Sequence, residues 1–388
     1  MPQTTAPSRD GAFDIASIIA EATMTGLSDT DRVVGREALE RLAHALDTEA
    51  HLTPTGRTAV RRSLIGALTI QARATRTRAA EPAIARTAVT APVFITGMLR
   101  TGTTLMHNLL AEHPDLRAPR LWELTAPVSS RQGEEANQDL VRDAAAYVAE
   151  YNRAAPALAA AHFLDALRPD ECQRLTGAIF TSMIYELRYD VPSYGDWLYQ
   201  QDQVDAYAYH RLLLQHILWR QGGGTVVMKC PFHLWRLGAL VETYPDARII
   251  HMHRAPAVTI PSTCSLTEIV RGARSDRIDR PAIGRLWSSR IEDAVTALPS
   301  VRAGALADTP VLDVSYGRLM ADPLAMAGEI CDFIGVPLTG AAERAMRDYL
   351  AANPQRRHGS HQYQAEDYGL DTAELEQRFG DYTAQFAS

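Results

Sequence analysis

The feature that most constrains the fold is a glycine-bounded loop between a short apolar run and a helical run. Residues 92–96 have the pattern of a buried strand, the segment G-M-L-R-T-G-T-T (97–104) follows, and residues 105–110 have a helical pattern. Two glycines at this spacing let the backbone curve around an oxyanion, and the first amides of the helix point at it. Thr103 stands where a nucleotide-binding P-loop carries lysine, and Arg100 lies earlier in the loop. The pattern therefore predicts a phosphate-binding loop that does not hydrolyse a nucleoside triphosphate.

Lysine usage singles out one further residue. Of the 39 basic residues, 38 are arginines and one, Lys229, is a lysine. Arginine does not release its proton in proteins, whereas lysine can, so a lysine kept in an arginine-biased chain indicates a chemical role. Chance retention is the alternative. Lys229 ends the strand-like run 225–229, and open α/β sheets bind their ligands at the carboxyl ends of strands. We therefore interpret Lys229 as a candidate catalytic residue.

Composition and charge argue against several classes of protein. The formal net charge is −7 and no basic run stands out, so no nucleic-acid partner is expected. No apolar stretch approaches the ~20 residues that span a bilayer, and the first ten residues lack the apolar centre of a signal peptide. The four cysteines are scattered, without metal-ligand spacing, as in a reducing compartment. We expect a cytoplasmic protein without a membrane span.

Hydrophobic periodicity divides the chain into regions. Residues 1–12 are expected to be disordered, whereas residues 13–90 are helical in pattern and carry no motif. Together they predict a helical N-terminal extension, 1–90, that packs on the core or on a second subunit of a homo-oligomer. Residues 91–388 alternate strand-like and helical segments, with a helical insertion at about 133–220. The expected strands lie at 92–96, 225–229, 247–253 and 311–315. Such alternation predicts an α/β fold, a P-loop-like parallel sheet flanked by helices.

Three further groups of side chains are candidates for binding or proton transfer. Arg254 follows the third predicted strand and Ser262 lies eight residues later, where the two could hold a second phosphate group. Glu123 follows Trp122 and is a candidate base if it is desolvated, with a surface or helix-capping carboxylate as the alternative. The segment R-R-H-G-S-H (356–361) places positive groups around a glycine and is either a functional loop or a solvated surface loop.

In their order along the chain, these motifs resemble those of the sulfotransferases that use 3′-phosphoadenosine 5′-phosphosulfate (PAPS). The branch they resemble contains bacterial small-molecule sulfotransferases and is related to the protein-tyrosine sulfotransferases. The resemblance extends from about Val93 to Tyr363. Residues 97–105 are similar to the family's 5′-phosphosulfate loop, and residues 229–232 (K-C-P-F) to its K-x-P-F segment. Arg254 with Ser262 resembles its 3′-phosphate motif, and residues 357–359 resemble the loop that closes over that phosphate.

The resemblance implies a role for each candidate residue. The 5′-phosphate of PAPS would be held by Arg100, Thr101, Gly102, Thr103 and Thr104. The 3′-phosphate would be held by Arg254, Ser262, Arg356, Arg357, His358 and Gly359. Lys229, with Arg100, would stabilise the leaving phosphate, and Glu123 or His233 would remove the proton of the acceptor. No metal is implied, because the cations of the protein replace it.

The expected function is transfer of a sulfuryl group from PAPS to a hydroxyl of a small molecule such as a sugar, phenol, lipid or polyketide. Seven aromatic residues between 185 and 209 either line the acceptor pocket or belong to the core: Tyr185, Tyr189, Tyr194, Trp197, Tyr199, Tyr207 and Tyr209. A P-loop kinase or NTPase is the alternative, and Thr103 in place of lysine argues against it. A non-catalytic nucleotide-binding protein is a further alternative, which Lys229 disfavours.

Overall fold

Five parallel strands at the centre of the molecule organise the fold. The computed structural model describes residues 13–24, 33–129, 134–222, 224–354 and 363–387. The strands are β1 (Val93–Gly97), β2 (Leu116–Arg117), β3 (Thr225–Lys229), β4 (Arg248–His253) and β5 (Val311–Ser315). Their order in the sheet is β2-β3-β1-β4-β5, and every pairing is parallel. The predicted fold class is thereby confirmed, and the short strand β2 is an addition that the sequence pattern did not indicate.

Helices surround this sheet. Before β1 lie α1 (Ile15–Met24), α2 (Arg36–Thr48) and α3 (Pro54–Ala80). Between β1 and β3 lie α4 (Thr103–Leu110), α5 (Leu121–Thr125), α6 (Glu134–Ala154), α7 (Leu158–Ala161), α8 (Gln173–Gly177), α9 (Ile184–Arg188), α10 (Pro192–Tyr199) and α11 (Val204–Gln221). After β3 lie α12 (Leu237–Thr243), α13 (Pro256–Gly272), α14 (Arg280–Ala303), α15 (Tyr316–Ala321), α16 (Pro323–Ile334), α17 (Gly340–Ala352), α18 (Thr372–Arg378) and α19 (Gly380–Tyr382). None of the helices in the described ranges has the length and apolar character needed to cross a bilayer.

The side chains of the strands alternate between two hydrophobic clusters, as the period of two along a strand requires. On β1, Phe94 packs into one cluster, whereas Val93 and Ile95 pack into the other. The cluster of Phe94 also contains Leu39 of α2 and Leu68 of α3. The N-terminal helices therefore share one hydrophobic core with the sheet, and the division of the chain into two units at residue 90 stays a prediction.

The region predicted as a helical insertion consists of six helices, α6 to α11, which are interrupted by prolines. Pro156 lies between α6 and α7, Pro169 lies between α7 and α8, and Pro192 is the first residue of α10. Proline has no backbone N–H to donate and clashes with the preceding turn, so it is found at the first residue of a helix, as at Pro192, or between helices, as at Pro156 and Pro169. The breaks turn the chain back on itself repeatedly, which brings loops of this region to the sheet.

Side-chain caps fix where the helices next to the sheet begin. Ser315 ends β5, and its hydroxyl accepts a hydrogen bond from the backbone N–H of Arg318 at 3.3 Å, which starts α15 without an intervening loop. Asp322 accepts from the backbone N–H groups of Leu324 and Ala325 at 3.1 and 2.9 Å and starts α16. Caps of this kind satisfy backbone donors that the helix itself cannot pair. They hold α15 at the carboxyl end of β5, beside the loop that follows β1.

Candidate active site

The loop between β1 and α4 has the backbone conformation of an anion-binding turn. Gly97, Arg100 and Gly102 have φ values of 143°, 70° and 90°. A side chain at Gly97 would overlap the carbonyl oxygen of Met252, and one at Gly102 would come within 2.8 Å of Leu319 Cδ2. Glycine is therefore required at both positions, on grounds of space and of backbone strain. The loop delivers the first amides of α4, whose first turn carries no acidic residue, to the carboxyl edge of the sheet.

Arg100 lies in this loop in a left-handed conformation that is uncommon for residues other than glycine. Its guanidinium donates to Ala161 O at 2.6 Å and to Ser262 Oγ at 3.2 Å, and Arg254 Nη1 donates to Arg100 O at 3.0 Å. Burial lowers the pKa of Arg100, with Arg254 adding to this and nearby Tyr363 opposing it. Neither arginine has an ion-pair partner among the described residues. The structure thus brings Arg100, Arg254 and Ser262 together as a cationic group that can take an anion.

The threonines of the loop differ in their exposure and in their hydrogen bonds. Thr101 is buried, and its hydroxyl donates to Met98 O at 2.7 Å, which stabilises the turn. Thr103 is buried at the start of α4, and Thr104, which follows it, is exposed at the mouth of the loop. Only side chains on the mouth side can reach a ligand, so Thr104 is the hydroxyl best positioned to meet one.

Lys229 ends β3, next to β1, and its side chain is 1% exposed. Its Nζ donates to Glu171 Oε1 at 2.9 Å and to Thr104 Oγ1 at 3.3 Å. A buried ammonium group is costly unless it is paired and hydrogen-bonded, and here both conditions are met. The lysine singled out by composition therefore lies directly against the start of α4, between the anion-binding loop and a carboxylate.

Glu171 is the residue of this site that sequence reasoning missed. It lies in the segment between α7 and α8, which is tied to the sheet because the backbone N–H of Cys172 donates to Lys229 O at 3.0 Å. Oε1 of Glu171 accepts from Lys229, and Oε2 has no hydrogen-bond partner in the described part of the chain. The acid is 58 positions from the lysine. The adjacent acids Asp170 and Glu171 are the sole sequence signal, and they do not indicate that partner.

Glu123, the first predicted base, is buried in α5, and both of its carboxylate oxygens accept hydrogen bonds from residues nearby in sequence. Oε1 accepts from the guanidinium of Arg117, and Oε2 accepts from the backbone N–H of Arg120 at 2.8 Å. This is the arrangement of a helix-capping carboxylate, the alternative that the sequence left open. No hydrogen bond joins Glu123 to Lys229 in the described ranges, and its role in proton transfer stays a prediction.

His233, the second predicted base, is buried within a cluster of aromatic and thiol groups. Its Nδ1 lies 2.6 Å from Tyr207 OH, its Nε2 lies 3.1 Å from Cys172 Sγ, and Phe94 packs edge-on against the ring. Burial lowers the pKa of His233 well below its usual value, with His210 adding to the effect. Both ring nitrogens therefore have partners inside the core, and its predicted catalytic role is likewise untested.

The four residues expected to close over the 3′-phosphate, Arg356, Arg357, His358 and Gly359, lie outside the described residues. The described chain resumes at Tyr363, which is near enough to Arg100 to raise that guanidinium's pKa.

A cavity of about 500 Å³, its open mouth included, lies next to this site. Leu99 of the anion-binding loop and Glu171, the partner of Lys229, both line it, so the cavity borders the loop and the carboxylate that pairs with the lysine. Its walls also carry Leu158, Leu164 and Leu266. An apolar cavity with a few polar groups at one region is the usual form of a small-molecule site.

The seven aromatic residues between 185 and 209 do not line this cavity. Five of them are buried in the core, namely Tyr185, Tyr189, Tyr194, Tyr207 and Tyr209. The aromatic residues of the cavity are instead Tyr147 and Tyr151 of α6. Of the two interpretations of the aromatic run, core packing is therefore the one that the structure supports.

Three potential metal ligands on β4 and β5, His251, His253 and Asp313, have ligand atoms within 4.8 Å of one another. Arg302 donates to Asp313 Oδ1 at 2.5 Å and Oδ2 at 2.9 Å, and its Nη2 lies 3.0 Å from His251 Nδ1. His253 Nε2 is 2.7 Å from the same carboxylate. Because a guanidinium occupies the space between the ligands, we interpret the group as a hydrogen-bonded network that supports the edge of the sheet.

Comparison with known proteins identifies the class of enzyme. A sequence profile of the sulfotransferase family matches residues 92–340, which is more than half of the chain. The crystal structure of sulfotransferase STF1 from Mycobacterium tuberculosis H37Rv is 30% identical, with a TM-score of 0.82 over 96% of this chain and 100% of STF1. Sulfotransferase STF9 from Mycobacterium avium is 25% identical, with a TM-score of 0.82 over 98% of each chain. The chain belongs to the sulfotransferase family.

A third relative belongs to the same family by its name. Omega-hydroxy-beta-dihydromenaquinone-9 sulfotransferase Stf3 from Mycobacterium bovis is 25% identical over 292 residues, 72% of this chain and 71% of Stf3. The predicted activity, transfer of a sulfuryl group to a small-molecule hydroxyl, is confirmed at the level of the family, and a kinase or NTPase is not favoured. Use of PAPS as the sulfuryl donor is a general property of the family.

The geometry of the loop generates a first prediction. Gly102→Ala should weaken binding of the product 3′-phosphoadenosine 5′-phosphate (PAP) at least about tenfold, because the new methyl group meets Leu319 and the φ of 90° becomes strained. Isothermal titration calorimetry would measure the affinity. Gly66→Ala in α3, where a methyl group meets nothing within 4 Å, is the matched control. It should raise the free energy of unfolding by about 0.5–1 kcal/mol and leave PAP affinity unchanged. Equal effects of the two variants would contradict the assignment of this loop.

Proposed function

We propose that this enzyme transfers the sulfuryl group of PAPS to a hydroxyl on a largely apolar small molecule. The observation that carries the proposal is the position of Lys229, whose Nζ contacts both Thr104 at the anion-binding loop and Glu171 on the wall of the cavity. The anion-binding loop, on the Thr104 side of this lysine, suits a charged donor. The cavity, on the Glu171 side, suits an apolar acceptor. The name of the relative Stf3, which describes a hydroxylated menaquinone as substrate, supports an alcohol of apolar character.

The residues present fit PAPS. The glycine-rich loop and the start of α4 suit its 5′-phosphate, with Arg100, Thr101, Gly102, Thr103 and Thr104 as the contributing residues. Arg254 and Ser262, both in contact with Arg100, suit its 3′-phosphate, and residues 356–359 keep that role as a prediction. When bound, PAPS supplies an activated sulfuryl group on a phosphate.

Lys229 and Arg100 have the charge that this chemistry requires. Transfer leaves new negative charge on the phosphate, and fixed cations in a water-poor site stabilise such charge strongly. Lys229 is buried and Arg100 is held in place by two hydrogen bonds, so little reorganisation is needed. These two cations take the part that a divalent metal has in phosphoryl transfer. We accordingly propose that the reaction requires no metal.

Glu171 is the base that the contacts favour for removing the acceptor's proton. It lines the cavity, it touches Lys229, and its Oε2 is without a partner among described residues. Glu123 and His233 have their polar atoms engaged elsewhere. General base catalysis by a positioned carboxylate contributes about 10²–10⁴-fold in rate.

Two broader expectations stay predictions. All four cysteines are free and buried, which is consistent with the cytoplasmic location expected from their spacing. A homo-oligomer remains an expectation from the helical N-terminal region alone.

Nucleotide preference tests the proposed donor. With EDTA present, PAP should raise the melting temperature well above the shift given by ADP. The 3′-phosphate would add charge-assisted hydrogen bonds from Arg254 and Ser262, each worth roughly 1.5–3 kcal/mol. Differential scanning fluorimetry gives the shifts, and transfer from labelled PAPS to an aliphatic alcohol, with and without EDTA, tests the metal. Equal shifts from the two nucleotides would remove the 3′-phosphate site, and loss of transfer in EDTA would overturn the metal-free mechanism.

The choice of base is tested by three variants. Glu171→Gln should lower kcat by about 10²–10⁴-fold while PAP still binds, because the amide keeps the shape and loses proton affinity. The fall in rate at low pH that a carboxylate base causes should disappear in this variant. Glu123→Gln and His233→Asn are the matched controls and should keep most turnover per folded molecule. If either control loses activity and Glu171→Gln does not, the base is the control residue.

Lys229→Arg tests whether charge alone suffices at the end of β3. Arginine keeps the charge, but its wide fork does not fit a position that is 1% exposed, and it cannot release a proton. We expect kcat to fall by about 10²-fold or more, close to the loss in Lys229→Ala, with a smaller change in PAP affinity. Single-turnover kinetics and PAP titration give the two quantities. Activity within a few-fold of the parent would reduce Lys229 to a source of charge.

A further inference from the structure

The charged groups that line the cavity leave one cation unpaired. Asp170 pairs with Arg174 at 2.7 Å, and Glu171 pairs with Lys229 at 2.9 Å. Arg188, the last residue of α9, also lines the cavity. Within the described ranges, its guanidinium has neither a hydrogen bond nor an ion pair. The cavity therefore contains a half-buried positive charge that no carboxylate of the described residues neutralises.

The acids nearest to Arg188 in sequence already have other partners. Asp190 accepts from Arg271 at 2.8 Å, and Glu186 accepts from Arg290 at 2.9 Å. Both partner arginines are buried. Exchange of Asp190 would leave Arg271 without a carboxylate, and exchange of Glu186 would leave Arg290 with the exposed Asp196 alone, at 3.2 Å. Such an exchange is costly. Arg188 is therefore kept free of these acids by the packing of its own neighbourhood.

The phenol of Tyr147 is a second indication of excess positive charge in the cavity. Tyr147 OH lies 3.5 Å from Arg174 Nη1, and Tyr147 lines the cavity with Arg188. Burial would raise the pKa of this phenol, but Arg174, Arg188 and Arg274 outweigh burial and lower it to about 8. This part of the cavity thus favours a negative charge, although Leu187 and Leu266 make its walls apolar.

We propose that Arg188 binds a carboxylate of the acceptor, so that the acceptor is a hydroxy acid with an apolar body. The inference rests on the proposed function, because it takes this cavity as the acceptor site. A guanidinium fork matches the two oxygens of a carboxylate, and one unpaired cation matches one negative charge better than the two charges of a phosphate. The hydroxyl would then meet Glu171 while the carboxylate contacts Arg188. Arg188 would be a specificity residue, since it binds a part of the acceptor that does not react.

Binding to the enzyme loaded with PAP tests the proposal without turnover. Titration calorimetry would compare 8-hydroxyoctanoate with its uncharged methyl ester. The parent enzyme should bind the acid about tenfold or more tighter than the ester. Arg188→Gln should bind the two equally, whereas Arg188→Lys, which keeps the charge, should retain part of the preference. Arg285→Gln, which removes an exposed arginine outside the cavity, should retain all of it.

The outcomes separate this inference from the proposed function. Equal binding of acid and ester by the parent, or a preference that survives in Arg188→Gln, would overturn the role of Arg188. Sulfuryl transfer to both compounds from labelled PAPS would in that case leave the proposed function standing. If the acid binds through Arg188 and neither compound is sulfated, the carboxylate site stands and the proposed function fails. Melting temperatures of all variants, with and without PAP, show whether each is folded.

Discussion

The site depends on one buried charge. Lys229 carries its ammonium group into a position that is 1% exposed, where an ionised group is tolerated if it is paired and hydrogen-bonded. Glu171 and Thr104 both accept hydrogen bonds from it. These three residues come from β3, from the segment before α8 and from the start of α4. Neutralising this one charge therefore ties the segment before α8 and the start of α4 to the end of β3.

The parallel sheet makes this convergence possible. Ile95 of β1 is in register with Lys229 of β3, and Gly97 is in register with Met252 of β4. The carboxyl ends of these three strands thus form one edge, where the loop of Arg100, the lysine and Arg254 meet. In an open α/β sheet this is the edge at which ligands bind. The register of the strands therefore determines which residues can contact the sulfuryl donor. The helices that pack at this edge determine which residues can contact the acceptor.

Much of this could be read from the sequence because the signals are local. Strand runs bounded by glycine or proline predicted β1, β3, β4 and β5 to within a residue, and the loop glycines identified the anion site. The features that the sequence did not predict depend on contacts between distant segments or on very short elements. Glu171 carries no distinguishing pattern, and its link to Lys229 spans 58 positions. Strand β2 has two residues, too few for any periodicity.

The two bases predicted from position illustrate the same limit. Glu123 is six residues from Arg117, and its carboxylate accepts a hydrogen bond from that guanidinium. The oxygen that makes this contact is not available to a substrate. His233 lies four residues after Lys229, but the turn that follows β3 directs its ring inward to Tyr207 and Cys172. Sequence proximity to a catalytic strand does not establish which way a side chain points. The direction depends on packing, which is a property of the whole fold.

Packing also keeps two groups close to the lysine, His107 and Cys172, without charge. Burial, with the charge of Lys229 adding to it, lowers the pKa of His107 to about 3, so this imidazole is neutral near pH 7. Burial and the charge of Glu171 raise the pKa of the Cys172 thiol, which stays protonated. Lys229 is almost fully buried and lies 2.9 Å from Glu171 Oε1, so the two charges of this pair interact strongly. A phosphate arriving at the loop would compete with Glu171 for the ammonium group.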